Sequence, residues 1–231
     1  MSRPPVALCP HPPLLLPGLT GAADPVADLR AACRDAVGVL LTDRPGRVHL
    51  VGADGPAVDA ASFAPGANRP APTADRAGPL SAAPLPLLVG RALLAGTGWT
   101  GPVTEHAVAA SSALADRVAL GRQLSAGGDP VLVLGDGSAR RGVKAPGYVD
   151  ERAVPFDDAV LAALRAADTA TLAQVDDDTA AELLAAGAVA WHVLAGLLDG
   201  LPPAQVRYAD DPFGVAYVVA TWSDRSSGPS R

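Results

Sequence analysis

The sequence predicts an α/β domain with a mainly parallel central sheet flanked by helices. Short apolar runs alternate with amphipathic stretches through most of the 231 residues. The two runs nearest the C-terminus, 205–208 and 215–222, follow one another without a helix between them, which indicates an antiparallel pair. The hydrophobic fraction of 49% supplies a full core, although only 4% of residues are aromatic, so Ala, Val and Leu must fill it. We expect one domain at 1–225 and a disordered tail at 226–231.

The individual elements are predicted from apolar periodicity, turn residues and caps. Asp24 is the expected N-cap of the first helix, with Pro25 at its first position. Asp178 or Thr179 is the expected cap of an apolar helix that ends at Leu198. The predicted elements are strands at 5–9, 48–52, 100–103, 131–134, 205–208 and 215–222, and helices at 25–41, 87–95, from 111 or 112, at 155–166 and up to 198.

Composition and charge exclude several classes of protein. A net charge of −6 and a pI near 5.1 argue against a general nucleic-acid or anionic-membrane binder. The longest apolar stretch, 183–198, is too short to span a bilayer, and the N-terminus lacks the pattern of a signal peptide. Cys9 and Cys33 have no metal-ligand spacing and are predicted to be packed thiols. We therefore expect a cytoplasmic protein with no nucleic-acid and no membrane partner.

The loop after the strand at 131–134 is the main candidate site. Ligands of open α/β sheets bind beyond the carboxyl ends of the strands, and this loop is rich in glycine and polar side chains. Its basic residues suit a small anion, because guanidinium groups bind carboxylate and phosphate in a bidentate manner. Asp136 is predicted to pair with Arg140 or Arg141 and so to shape the loop. The candidate residues of the loop are Asp136, Ser138, Arg140, Arg141, Lys144 and Tyr148.

Other strand ends also carry polar side chains. His11 lies between prolines that hold its backbone extended, directly after the first strand. Asp54 follows the second predicted strand, and Glu105 and His106 follow the third. A non-haem ferrous site needs two imidazoles and a carboxylate, which His11 and His106 supply together with Asp54, Glu105 or Asp136. The Pro- and Ala-rich segment 60–86 is expected to be a lid, a flexible insertion or an interaction arm.

Three motifs resemble one family. They are Cys9-Pro10-His11-Pro12-Pro13-Leu14-Leu15, Gly135-Asp136-Gly137-Ser138, and the stretch from Pro146-Gly147-Tyr148 to Phe156-Asp157. Together they resemble the class III extradiol ring-cleavage dioxygenases, more narrowly the bacterial proteins similar to the catalytic B subunit, which also resemble Memo-like proteins. The resemblance extends from residue 5 to about residue 222. It implies an Fe(II) cofactor bound by His11, a pocket lined by Glu105 and His106, and a family that includes homodimers.

The chain departs from the family pattern at two histidine positions. Ala53, followed by Asp54, stands where the resemblance implies a second iron ligand, and Asp54 is the substitute metal ligand we expect. Ala139 stands where the resemblance implies an acid/base histidine, so His11, Asp136 and Ser138 are the remaining catalytic candidates. The expected function is therefore a remodelled dioxygenase-fold protein that binds a small anionic ligand without ring cleavage.

Two alternatives remain open from the sequence. One is a metal-dependent, ferrous oxygenase or hydrolase that uses His11 and His106 with Asp54 or Asp136. The other is a non-catalytic scaffold subunit without a cofactor.

The substrate-binding candidates are residues expected to surround the pocket: Glu105, His106, Arg140, Arg141, Lys144 and Tyr148.

Overall fold

The computed structural model describes residues 3–20, 24–59, 63 and 82–224, and its α/β architecture confirms the predicted fold class. The strands, in chain order, are β1 (Val6–Cys9), β2 (Val48–Ala53), β3 (Ala57–Val58), β4 (Ala83–Pro84), β5 (Val103–Val108), β6 (Val131–Leu134), β7 (Gln205–Asp210) and β8 (Tyr217–Trp222). Six of them form the central sheet in the order β5-β2-β6-β1-β8-β7, and β3 pairs with β4 separately.

The sheet is parallel over four strands and antiparallel at one end. Strands β5, β2, β6 and β1 run parallel to one another, whereas β8 is antiparallel to both β1 and β7. Cys9 lies opposite Leu134, so β1 and β6 end side by side. The loops that follow these two strands therefore emerge together at the same edge of the sheet.

Helices cover both faces of the sheet. They are α1 (Ala27–Leu41), α2 (Leu85–Gly96), α3 (Leu114–Gly127), α4 (Ala153–Ala166), α5 (Thr169–Ala173), α6 (Asp177–Glu182) and α7 (Ala188–Leu197). One core cluster joins α1 and α2 to the sheet, and the other joins α3 to α7 to its opposite face. Cys9 and Cys33 are free and buried in the first cluster, which confirms the prediction of packed thiols.

The apolar helix that was predicted to run up to Leu198 is two helices. Helix α6 is capped by Asp176, whose side chain accepts the Thr179 N–H. The break follows at Leu184, whose backbone is left-handed with φ 55°, and α7 begins after Gly187. Within the described ranges, no helix is long and apolar enough to cross a membrane.

Strand β5 begins later than the sequence predicts. The prediction of 100–103 assigned Glu105 and His106 to the loop beyond the strand, whereas both lie inside β5 and pair with β2. Pro102 has no N–H to donate, and its carbonyl accepts the Val48 N–H, so the ladder continues from Val103 onward. Most of segment 60–86 and the tail at 226–231 lie outside the described residues.

Candidate functional site

His11 and Asp136 meet where β1 and β6 end. The backbone N–H of His11 donates to Asp136 Oδ1 at 2.7 Å, and His11 Nδ1 lies 3.4 Å from the same oxygen. Both residues are buried. The predicted pairing of Asp136 with Arg140 or Arg141 is therefore wrong: the neighbouring strand end supplies its partner, because adjacent parallel strands bring these loops into contact.

Burial dominates the electrostatics of this pair. It raises the pKa of Asp136, and the opposing effects of the His11 imidazole and amide are smaller. Tyr217 on β8 lies near the pair, and its pKa is raised by burial and, to a lesser extent, by the charge of Asp136. His11 Nδ1 is buried without a hydrogen-bond partner. The strand ends thus hold an imidazole nitrogen whose bonding capacity the protein leaves unused.

Ser138 is held by Asp157, a residue of α4. Asp157 accepts the Ser138 N–H at Oδ1 over 2.8 Å and the Ser138 hydroxyl at Oδ2 over 2.5 Å. Ser138 is fully buried, so its hydroxyl is shielded and its proton is committed to a carboxylate. These two hydrogen bonds hold the loop after β6 against α4. Sequence reasoning did not assign a role to Asp157, although it lies in the Phe156-Asp157 segment that carries part of the resemblance.

Arg141 bridges α4 and the turn after β7. Its Nε donates to Asp211 Oδ2 at 2.6 Å, and its Nη1 donates to Asp157 Oδ2 at 3.2 Å. Two carboxylates therefore offset its charge. Arg141 lines an open cleft of about 250 Å³ between α4 and the β7–β8 pair, into which Arg165 and Tyr217 also face.

Arg140, by contrast, has no described carboxylate partner. Its Nε is buried and makes no hydrogen bond, and its side chain passes beneath Gly147, where an added Cβ would lie 2.9 Å from Arg140 Cγ. Lys144 and Tyr148 lie on the outer surface of the same loop, with Tyr148 90% exposed. Asp150 interacts electrostatically with Arg140, but its pKa is lowered to about 2 mainly by Arg152, with only a minor effect of Arg140.

The remaining candidate residues lie apart from His11. Asp54 is exposed and accepts the Gly55 N–H, and Glu105 receives two hydrogen bonds from Arg91. His106 lies opposite Val51 on β2, three strands from β1, which corresponds to about 14 Å across the sheet. The structure thus brings together only His11 and Asp136 of the proposed ferrous ligands.

The described donors do not fit a two-histidine, one-carboxylate iron site. His11 and Asp136 provide one imidazole and one carboxylate, and the second imidazole would have to come from His106 across three strands. Within the described part of the chain, no group of three or more His, Cys, Asp or Glu side chains could hold a metal ion.

His106 instead contacts His49. Its Nε2 lies 3.0 Å from His49 Nδ1, and the two rings are tilted by 43° with centroids 5.2 Å apart. Burial lowers the pKa of both imidazoles, and the neighbouring His49 lowers that of His106 further. Sequence reasoning placed His49 in a strand but could not pair it with His106, because the pairing depends on the register of β2 with β5.

Mild acid is expected to destabilise the fold through this histidine pair. Both imidazoles have a folded-state pKa below the ordinary value of 6.5, so the unfolded chain binds more protons as pH falls through 6.5. The contribution of this pair to the free energy of unfolding is therefore fully present above pH 6.5 and is lost as the pH falls below it. Urea midpoints measured across this range for wild type and His106→Gln check the prediction, and the variant should show the shallower dependence. An equal slope in both proteins would contradict it.

Asp136→Ala is expected to lower the free energy of unfolding by about 1–3 kcal/mol, because the buried His11 N–H loses its acceptor. Asp136→Asn keeps an acceptor oxygen and should cost less. Lys144→Ala, at an exposed position, should stay within about 0.5 kcal/mol of wild type. Chemical denaturation of the three variants measures this order, and an Asp136→Ala midpoint equal to wild type would contradict it.

Comparison with known proteins supports the fold alone. No protein-family model matches this sequence, and no curated protein matches it either. Among solved structures, the chain is similar to the crystal structure of an uncharacterised protein, JW3007, from Escherichia coli K12. The two share 15% identity with a TM-score of 0.51, over 95% of this chain and 99% of that chain.

Proposed function

We propose that this protein is a divergent relative of the class III extradiol dioxygenases that binds a small carboxylate or phosphate at the loop 135–152 and does not cleave rings. The observation that carries the proposal is the buried Arg140 Nε without a hydrogen-bond partner. A buried donor left unpaired costs about 1–3 kcal/mol, which an anion oxygen would recover. Asp150, the acid of the loop that interacts with Arg140, forms its ion pair with Arg152.

The charge balance of the loop supports the same assignment. Arg141 is paired with Asp157 and Asp211, so it contributes little to the attraction of a further anion. Arg140 and Lys144 have no ion pair among the described residues, and they leave a local positive charge on a protein with net charge −6. A compact anion can use this local field, whereas a polyanion would meet the repulsion of the whole surface.

Ring cleavage is not part of the proposed function, because the described residues supply too few iron ligands. Ala53 and Ala139 occupy the positions where the resemblance implies histidines, and His11 with Asp136 provides only two of the three iron ligands required. In this interpretation, His11 and Asp136 hold the strand ends together while the loop binds the ligand.

Isothermal titration with inorganic phosphate and a panel of small carboxylates tests the proposal. We expect Arg140→Ala to weaken binding about tenfold or more, since a charge-assisted hydrogen bond contributes about 1.5–3 kcal/mol. Arg34→Ala is the matched control, because Arg34 is an exposed arginine of α1, outside the loop 135–152. If no anion binds wild type, or if Arg140→Ala binds as wild type does, the proposal is wrong.

A second candidate function rests on the unused Nδ1 of His11. This buried imidazole nitrogen lies 3.4 Å from the Asp136 carboxylate. The two groups supply part of the metal or acid/base centre that a metal-dependent oxygenase or hydrolase requires. Metal analysis of protein purified anaerobically separates this candidate from the first. Stoichiometric iron, manganese or zinc that disappears in His11→Ala would favour the enzyme, and metal-free wild type would exclude it.

A further inference from the structure

Exposed apolar side chains concentrate on one part of the surface. Six large apolar side chains are exposed among the described residues, and four of them are Val143, Tyr148, Val149 and Leu184. Val143 and Tyr148 are 94% and 90% exposed, so they contribute almost nothing to the core. Leu184 lies against Gly147, since a Cβ on Gly147 would be 2.9 Å from Leu184 Cδ1. Single exposed apolar residues are ordinary, whereas a group gathered on one surface marks an interaction site.

The backbone holds these side chains in fixed positions. The segment 143–151, here called the arm, follows the first residues of the loop after β6 and turns back beside them. The Gly147 N–H donates to the Ala139 carbonyl, and the Asp150 N–H donates to the Arg140 carbonyl, each over 3.1 Å. The exposed side chains of the arm are therefore presented from an ordered backbone, so a partner would bind them at a low cost in conformational entropy.

Leu184 provides an independent observation on the same surface. It follows the end of α6 with a left-handed backbone, φ 55°, at the position where glycine is the usual residue. A leucine is strained in this conformation, and a side chain that is 46% exposed recovers little of the strain by burial in its own chain. Backbone strain of this kind is typical of functional sites. It favours a contact of Leu184 outside the single chain.

The charges of the arm indicate what that contact is. Lys144 and Glu151 are exposed, and neither forms an ion pair with another described residue. Lys144 lies three residues before Gly147, and Glu151 lies three residues after Tyr148. Two arms aligned antiparallel about the Gly147–Tyr148 bond would therefore place Lys144 of each copy opposite Glu151 of the other. A surface that is complementary to itself under a twofold rotation is what an isologous dimer requires.

We propose that the arm and Leu184 form the face through which two copies of this chain associate about a twofold axis at Gly147–Tyr148. The same alignment places Pro146 of one copy opposite Val149 of the other, so apolar contacts occupy the centre and charge pairs the rim, as in other protein interfaces. A face of this extent suits a weak, exchangeable dimer, because stable interfaces bury about 1,600 Å² in total.

Sedimentation velocity of wild type in phosphate-free buffer, from about 1 μM to about 1 mM, tests the proposal. We expect the mean mass to rise with concentration from 23.1 kDa toward twice that value. Tyr148→Ser should weaken association at least tenfold, since tyrosines at interface centres carry much of the binding energy. A wild type that stays at 23.1 kDa throughout would overturn the proposal. Because the buffer contains no candidate anion, this result would not bear on anion binding.

Leu184→Gly separates the interface from the fold. Glycine adopts the left-handed conformation without strain, so the variant should unfold at a urea concentration at or above that of wild type. Its association should nevertheless be weaker, because an exposed apolar side chain of the face is gone. A folded Leu184→Gly that associates as tightly as wild type would contradict the proposal.

Charge reversal tests the antiparallel alignment itself. Lys144→Glu and Glu151→Lys should each weaken association at least tenfold, because like charges then meet at both ends of the arm. An equimolar mixture of the two variants should associate as wild type does, since each end again pairs opposite charges. Arg34→Glu, an exposed position of α1 outside the face, is the control and should leave association unchanged. A mixture that stays monomeric, or single variants that associate as wild type does, would overturn the proposal.

Discussion

Gly196→Ala is expected to lower the free energy of unfolding by about 3 kcal/mol, because α3 and α7 touch backbone to backbone at this position. A Cβ on Gly196 would lie 2.0 Å from the Val118 carbonyl oxygen and 2.9 Å from the Arg122 nitrogen. The contact is reciprocal, since a Cβ on Gly121 would lie 2.1 Å from the Val193 carbonyl oxygen. Backbone atoms cannot rotate away as a side chain can, so the helices would have to separate.

Gly38→Ala is the matched control for this prediction. Gly38 lies on the exposed side of α1, and a Cβ there would meet no atom within 4 Å. The substitution should stabilise the protein by about 0.5–1 kcal/mol, because alanine has the higher helix propensity. Urea unfolding of both variants measures the contrast. A Gly196→Ala midpoint at or above that of wild type would show that the helices separate at little cost.

Arg117→Ala is expected to cost about 3–5 kcal/mol, because a side chain only 1% exposed loses its volume and its hydrogen bonds together. Arg117 Nη1 donates to both Asp177 oxygens, at 2.8 and 2.9 Å, and contacts His192 Nδ1 at 2.8 Å. Its other nitrogens bind Ser112 Oγ and the Ala110 carbonyl. One guanidinium thus joins the segment before α3 to α6 and α7.

Arg122→Ala provides the control on the same helix, since Arg122 is exposed and should change stability by less than about 0.5 kcal/mol. Thermal or urea unfolding measures both variants. If Arg117→Ala unfolds at the same urea concentration as Arg122→Ala, water has replaced the guanidinium and the network contributes little to stability.

The α3–α7 layer also supports the candidate site. The Gly187 Cα lies 3.0 Å from where a Cβ on Gly135 would be, and a Cβ on Gly187 would lie 2.6 Å from the Asp136 carbonyl oxygen. The start of α7 therefore presses against the first residues of the loop 135–152. Glycine is required at 187, and at 135 a Cβ would need its neighbours to shift by a few tenths of an ångström, so loosening of α7 is expected to move Asp136 away from His11.

The local pattern of apolar and turn-forming residues was sufficient to predict much of the fold. The apolar run Val131–Leu134 and the glycine after it defined β6 at the observed bounds, and alternation of strands and helices predicted the class. Such features depend on neighbours within a few residues, through side-chain periodicity and backbone preference. Chain direction in the sheet also followed, because a helix between two strands favours parallel pairing and its absence favours a hairpin.

The partners within the site were decided by tertiary structure. Arg141 lies 70 residues from Asp211 in sequence, and His49 lies 57 residues from His106. Composition showed which charges were available, but strand order and register determined which of them meet. Asp136 illustrates the difference: two arginines follow it closely in sequence, yet it bonds to His11, because β1 and β6 end side by side and Asp157 and Asp211 already hold Arg141.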